Sequence, residues 1–183
     1  MLFGCLSKVE DFRRSQGRSF DLGGLLMIAI LAVISGANSY DDIAVFCKTH
    51  LRILRKTFGL QWWKSPSRSQ FHSVLSRIDA TELEKAFREY SSLISAQLPE
   101  KHEYLSCDGK ALRGSFDHMQ DRKAAQILSI FASDGQIILA HALVDEKTNE
   151  IPVFQTLIKE IGLTGKLYTL DALHAQKNSK ISN

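Results

Sequence analysis

Cysteine is scarce in this sequence: Cys5, Cys47 and Cys107 are its three, far apart and without a CxxC pair. That scarcity argues against a disulfide framework or a cysteine zinc site, and it fits a reducing cytoplasm. The six histidines also lack metal-ligand spacing. Long apolar runs are absent too, and no stretch reaches the roughly 20 residues of a bilayer-spanning helix. The most apolar segment, 22–37, is interrupted by glycines and follows Arg13, Arg14 and Arg18. It superficially mimics a signal peptide, but the basic residues come late and no cleavage motif follows. The segment reads as a buried helix, and no membrane partner is expected. Internal repeats and low-complexity segments are missing as well.

What is present suits a packed fold. Apolar residues make up 44% of the 183, and 23% are charged. That length holds one domain, or a small domain followed by part of a second. The net charge of +3 is unevenly spread: residues 1–78 carry 11 Lys/Arg against 5 Asp/Glu, and residues 79–183 carry 12 against 15. A basic front suits phosphate contacts and an acidic back suits metal, although an ordinary solvated surface accounts for the charges equally well.

The front half has helical periodicity. Asp21 is placed to cap a helix over 22–35, apolar nearly all round. After a break at 36–39, helical spacing over 40–58 puts Ile43, Phe46, Leu51 and Leu54 on one face. Lys48, Arg52, Arg55 and Lys56 fall on the other. Trp62 and Trp63 sit in a connection, where tryptophans either stack on bases or cover a core edge. Ser65-Pro66 predicts the next helix start. That helix directs Phe71, Val74, Leu75 and Ile78 inward and Arg68 and Arg77 outward. Asp79 to Glu82 has the form of a capping box opening a helix to about Leu98. Residues 99–103 read as a linker between a helical region, 1–98, and a different second region, 99–183.

In that second region the pattern changes. Residues 104–107 form a short strand ending at Asp108. Two apolar strands, 127–133 and 136–144, flank Asp134-Gly135, a strong hairpin signal. A helix over 151–161 presents Phe154, Leu157, Ile158 and Ile161, and a last strand over 167–170 ends at Asp171. Two strand-end aspartates on parallel neighbours would meet at one sheet edge, where α/β sheets place their ligand sites. Hard oxygen ligands there suit Mg²⁺ or Mn²⁺. On spacing alone, Asp108-Gly109 is equally a turn and Asp171 equally a helix cap.

The surrounding words are more specific. Asp11-Phe12-Arg13-Arg14 with Gly17, and Ile34-Ser35-Gly36-Ala37 with Ser39-Tyr40 and Asp42-Ile43-Ala44, form one group. Cys107-Asp108-Gly109-Lys110 with Leu112-Arg113-Gly114-Ser115 forms a second. Glu146 to Pro152 and Leu170 to Lys177 complete the set. In order and spacing the chain, from about Asp11 onward, resembles the H-repeat-associated family of insertion-sequence transposases.

The resemblance implies an α+β chain: a helical, DNA-contacting N-terminal region followed by part of an RNase H-like mixed sheet with helices. It further implies Mg²⁺- or Mn²⁺-dependent DNA cleavage and joining by an Asp-Asp-Glu triad. Asp108 matches the first aspartate and Asp171 the second. The matching glutamate belongs far downstream of Asp171, so a truncated, catalytically inactive copy is expected. Glu150, at the start of a helix, is an accessory ligand candidate or simply a favourable charge at a helix N-terminus. Lys110 and Arg113 are candidates to hold phosphates, and His174, one turn from Asp171, to face the same site. Lys48, Arg52, Arg55, Lys56, Arg68 and Arg77 are the DNA-binding candidates. The other expectation is a non-catalytic regulator that binds DNA or full-length transposase, or pairs with another copy of itself, in the cytoplasm at the nucleoid.

Overall fold

A computed structural model of the chain describes residues 1–97, 104–111, 126–132, 137–144, 150–160 and 167–170. The chain divides into two compact units, Met1–Tyr90 and Ser91–Asn183. The division comes ahead of the boundary expected after residue 98, and it falls inside a helix.

The first unit is built around α2 (Leu22–Ile34), with Asp21 as its cap: the Asp21 Oδ2 accepts from the Gly24 N–H at 2.7 Å. Because α2 is apolar on nearly every face, neighbours pack around it. Leu25, Leu26, Ile28 and Ala32 are each no more than 2% exposed. The 13 residues of α2 rise about 20 Å, and eight of them are buried in the unit. The short α1 (Leu2–Leu6) and the long α3 (Tyr40–Phe58) pack on it. Ser39 caps α3 through the Asp42 N–H, and Gly59 ends it in the left-handed conformation at φ 67°. Two glycines let α2 be approached closely. A Cβ on Gly23 would lie 2.9 Å from the Ser7 Cα, and one on Gly24 would lie 2.8 Å from the Trp62 ring.

Helix α4 (Arg68–Leu75) begins later than Ser65-Pro66 predicts. Ser67 and Gln70 form a capping box that sets the start, and Pro66 is instead buried ahead of it. Helix α5 (Ala80–Ser95) stops before the expected Leu98. At its start Asp79 accepts from the Thr81 N–H, but Glu82 turns to Lys85 rather than back to the cap. Leu83, Ala86 and Tyr90 of α5 join the first core, and Lys8 pairs with Glu89.

Between α1 and α2 the chain is tied by its arginines. Arg13 donates to both Asp11 oxygens, at 2.8 and 2.7 Å, and to the carbonyls of Gly17 and Phe20. Arg18 donates to the carbonyls of Arg13 and Asp11. The Arg13 hydrogen bonds hold the Asp11 carboxyl below the usual carboxylate range, against a smaller opposing effect of burial.

The second unit is a mixed sheet in the order β3-β2-β1-β4, with β1 (Tyr104–Ala111), β2 (Gln126–Ala132), β3 (Ile137–Val144) and β4 (Leu167–Leu170). The first three strands run antiparallel to their neighbours, and β4 lies parallel to β1. Helix α6 (Glu150–Glu160) comes between β3 and β4, the connection that a parallel return requires. Its Phe154, Leu157 and Ile158 pack with Leu105, Cys107, Leu128, Ile130 and Ala140 in a second core. Beside a register shift at Ile130/Phe131, the buried Ser91 hydroxyl donates to the Ile138 carbonyl. The α+β expectation holds, with the helical region first. One detail is corrected: β1 does not stop at Cys107 but runs to Ala111, because β2 pairs with it as far as Gln126. All three cysteines are buried, and none is in a disulfide.

Both tryptophans lie in the first unit, so indole fluorescence follows its unfolding alone. Gly23→Ala and Gly24→Ala are each expected to lower its stability in urea by about 1–3 kcal/mol, although alanine is the better helix former. Asp21→Ala removes a cap and the partner of a buried indole, for about 2–4 kcal/mol; a gain in stability from any of the three would contradict the packing described. For Asp11, a lowered folded-state pKa means stability present above the ordinary carboxylate range and lost as pH falls through the lowered value. Asp11→Asn should therefore make the first unit's urea midpoint less sensitive to acidification from neutral pH to about pH 3.

Candidate functional site

Two regions carry the residues that the sequence singled out. The first is the β1–β4 edge of the sheet. The parallel register pairs Leu105 with Tyr168, Ser106 with Thr169 and Cys107 with Leu170. Side chains alternate along a strand, so Leu105 and Cys107 enter the core under α6 while Ser106, Asp108 and Lys110 take the other face. On that face the Thr169 Oγ1 lies 3.0 Å from the Ser106 Oγ, and Asp108 and Lys110 are exposed. On the core face the Tyr168 ring meets Phe154 edge-on at 5.5 Å, and burial pushes its hydroxyl up to about 12.

Asp108 directly follows the last described β1–β4 pair and is exposed, with no ion-pair partner among the described residues. Its antiparallel partner is Ser129, which in turn pairs with His141, so the three form one row across the sheet. Neither Ser129 nor His141 stands out in the sequence, because only the strand register puts them in one row with an aspartate. Glu150 is the first residue of α6. Asp171, Arg113 and His174 lie outside the described residues, and among the described residues no three His, Cys, Asp or Glu side chains gather as a metal site.

The second region is the outer face of α3. Ile43, Cys47 and Leu54 are buried, and the helical period carries Lys48, Arg52, Arg55 and Lys56 to the opposite side, all exposed. Among the described residues none of these four has a carboxylate within ion-pairing distance, so the stripe is a free cationic surface. Arg55 and Lys56 also lie in the last turn, where the helix dipole favours cations. Arg68 and Arg77 differ from these four. Arg68 pairs with Asp41 at 3.0 Å, and the Arg77 guanidinium lies 5.5 Å from the centre of the Phe12 ring. The two tryptophans divide between their readings. Trp62 is 3% exposed, meets Phe20 edge-on and donates its indole N–H to Asp21 at 2.7 Å. Trp63 is 80% exposed, with the Lys64 ammonium over its ring.

Comparison with known proteins gives this arrangement its context. A family model described as DDE_Tnp_1-associated matches residues 3–91, nearly the whole of the first unit. The H repeat-associated putative transposase YhhI of Escherichia coli K12 is 30% identical over 173 residues, which are 94% of this chain and 45% of that protein. Putative protein YbfL of the same strain matches to the same extent, so the chain spans about half the length of these relatives. The putative transposase YncI of Escherichia coli K12 is 30% identical over all of this chain and 73% of its own length. A match that runs through both units, from the arginine-tied loop to the β1–β4 edge, shows that this chain belongs to the transposase family that includes the H repeat-associated proteins.

Proposed function

We propose that this protein takes part in DNA transposition, with the helical unit holding DNA and the sheet carrying part of an RNase H-like Asp-Asp-Glu metal site. The observation that carries the reading is the parallel pairing of β1 and β4, whose last described pair is Cys107 and Leu170. Asp108 directly follows Cys107 on β1, and in the sequence Asp171, outside the described residues, directly follows Leu170; these are the two aspartates that match the family motif.

The donor chemistry fits. Asp108 offers hard carboxylate oxygens, exposed at the end of the β1–β4 pairing, and a second carboxylate from Asp171 suits Mg²⁺ or Mn²⁺. Ions held there would supply activation of the attacking oxygen and stabilisation of the leaving oxygen in an in-line phosphodiester displacement. The chain's own groups hold and orient. Lys110 and Arg113 follow the first aspartate in sequence and suit DNA phosphates, while Glu150 and His174 are accessory groups.

Two aspartates supply too few fixed oxygens to organise a pair of ions. The 183-residue polypeptide alone is therefore expected to leave a supercoiled plasmid intact in Mn²⁺, as its Asp108→Ala variant does. Nicking by the parent chain that disappears in the variant would show a working metal site and end the inactive reading.

A second reading, a non-catalytic regulator of DNA or of full-length transposase at the nucleoid, is favoured by the free cations of α3. It requires binding without cleavage. Affinity for a DNA duplex should fall steeply with salt, and replacing Arg52, Arg55 and Lys56 together by alanine should flatten the slope of log K against log salt by about 3. Duplex binding that ignores the triple substitution would make α3 a protein-interaction surface instead.

A further inference from the structure

A groove of about 720 Å³ opens in the first unit between the arginine-tied loop and α4. Phe20, Leu25 and Val74, at 3%, 1% and 3% exposed, lie beneath it, and most of the remaining lining is polar. Its rim is cationic and polar, with Arg14 and Arg77 among the lining residues and no aspartate or glutamate.

The loop's hydrogen bonds explain that charge. Arg13 and Arg18 are spent on Asp11 and on backbone carbonyls, which also neutralises the nearest carboxylate. Arg14, between them in sequence, has no ion-pair partner among the described residues and lines the groove. Arg77, also in the lining, lies over the Phe12 ring, which is 37% exposed. Gln70 has its carbonyl oxygen occupied by the Ser67 N–H and hydroxyl, at 2.8 and 3.1 Å, which leaves its amide N–H groups as donors.

We infer that this groove receives one unstacked nucleotide of single-stranded DNA, its base against Phe12 and Arg77 and its phosphate on Arg14. The volume lies within the range of small-ligand sites, with room for a nucleotide and none for a duplex. The exposed Phe12 ring with Arg77 over it, beside the unpaired Arg14, matches a planar base joined to a phosphate, whereas inorganic phosphate would leave the ring unused. Stacking on an aromatic ring and on a guanidinium is how proteins hold single strands without reading sequence. The tied loop keeps the groove formed before the ligand arrives, which limits the ordering cost of binding. The inference rests on the first unit being a DNA-binding unit, but it uses different side chains from the α3 stripe.

The test measures fluorescence anisotropy with the full chain and three labelled probes: an oligothymidine of about 12 nucleotides, an abasic strand of the same length, and a duplex. The oligothymidine should bind at least about fivefold tighter than the abasic strand. Phe12→Leu should remove most of that difference and leave duplex binding within about twofold, and Phe12→Tyr, which keeps a ring, should preserve it. Arg14→Ala with Arg77→Ala should weaken oligothymidine binding by about tenfold. Melting temperatures measured alongside separate loss of fold from loss of site. Equal binding of the thymidine and abasic strands, or a difference that Phe12→Leu leaves intact, overturns the groove. If duplex binding is absent while the thymidine preference stands, the α3 reading falls and the groove remains. If the α3 triple variant alone abolishes the thymidine preference, the groove is overturned and α3 remains.

Discussion

A single carboxylate holds the helical unit at its most crowded point. One oxygen of Asp21 takes the Gly24 N–H at the start of α2, and the other takes the Trp62 indole N–H, each at 2.7 Å. The first contact satisfies a helix end that would otherwise leave donors unmade. The second lets a large polar-edged ring enter the core without an orphaned N–H. The arrangement works only because residues 23 and 24 are glycines, whose missing side chains leave room for Ser7 on one side and the Trp62 ring on the other. The approach of α1 and of the 60–62 segment to α2 depends on that corner.

From it follows the distribution of positive charge. The apolar α2 draws the buried face of α3 inward, and α3 then presents Lys48, Arg52, Arg55 and Lys56 outward with no counter-charge among the described residues. In front of α2 the chain turns through residues 11–20 and uses Arg13 and Arg18 as struts. Arginine suits this role, because its planar fork meets a carboxylate and several carbonyls at once. Among these basic residues, Arg13 and Arg18 are thus engaged within the fold, while Lys48, Arg52, Arg55 and Lys56 on α3 and Arg14 at the groove have no ion-pair partner among the described residues.

The second unit places its chemistry by strand register. The buried alternation of Leu105 and Cys107 under α6 commits Asp108 to the opposite, open face, where Ser129 and His141 share its row. A slip of one residue would carry the aspartate into the core. The parallel alignment of β4 with β1 brings the segment before Asp171 to the strand that holds Asp108, and this alignment supports the metal-site proposal.

Much of this could be read from residues alone. Periodicity located α2, α3 and α6, because those elements have long buried faces, and Asp21 marked the start of α2; the Asp134-Gly135 turn lies outside the described residues, though the strands on either side of it pair antiparallel. The family words around Asp108 and Asp171 are legible in the sequence itself. Other features depended on long-range partners. The start of α4 was set by Ser67 and Gln70 rather than by Pro66, and the length of β1 by its pairing with β2. Arg13 and Arg14 are neighbours of the same type, yet one is a strut and the other lines a groove, since only one of them meets Asp11. Trp62 and Trp63 separate in the same way, one reaching Asp21 and the other left in solvent. Local spacing determined which segments form helices and strands and which faces they bury. The tertiary structure decided which polar side chains are consumed by the fold and which remain for a ligand, because that depends on partners distant in sequence.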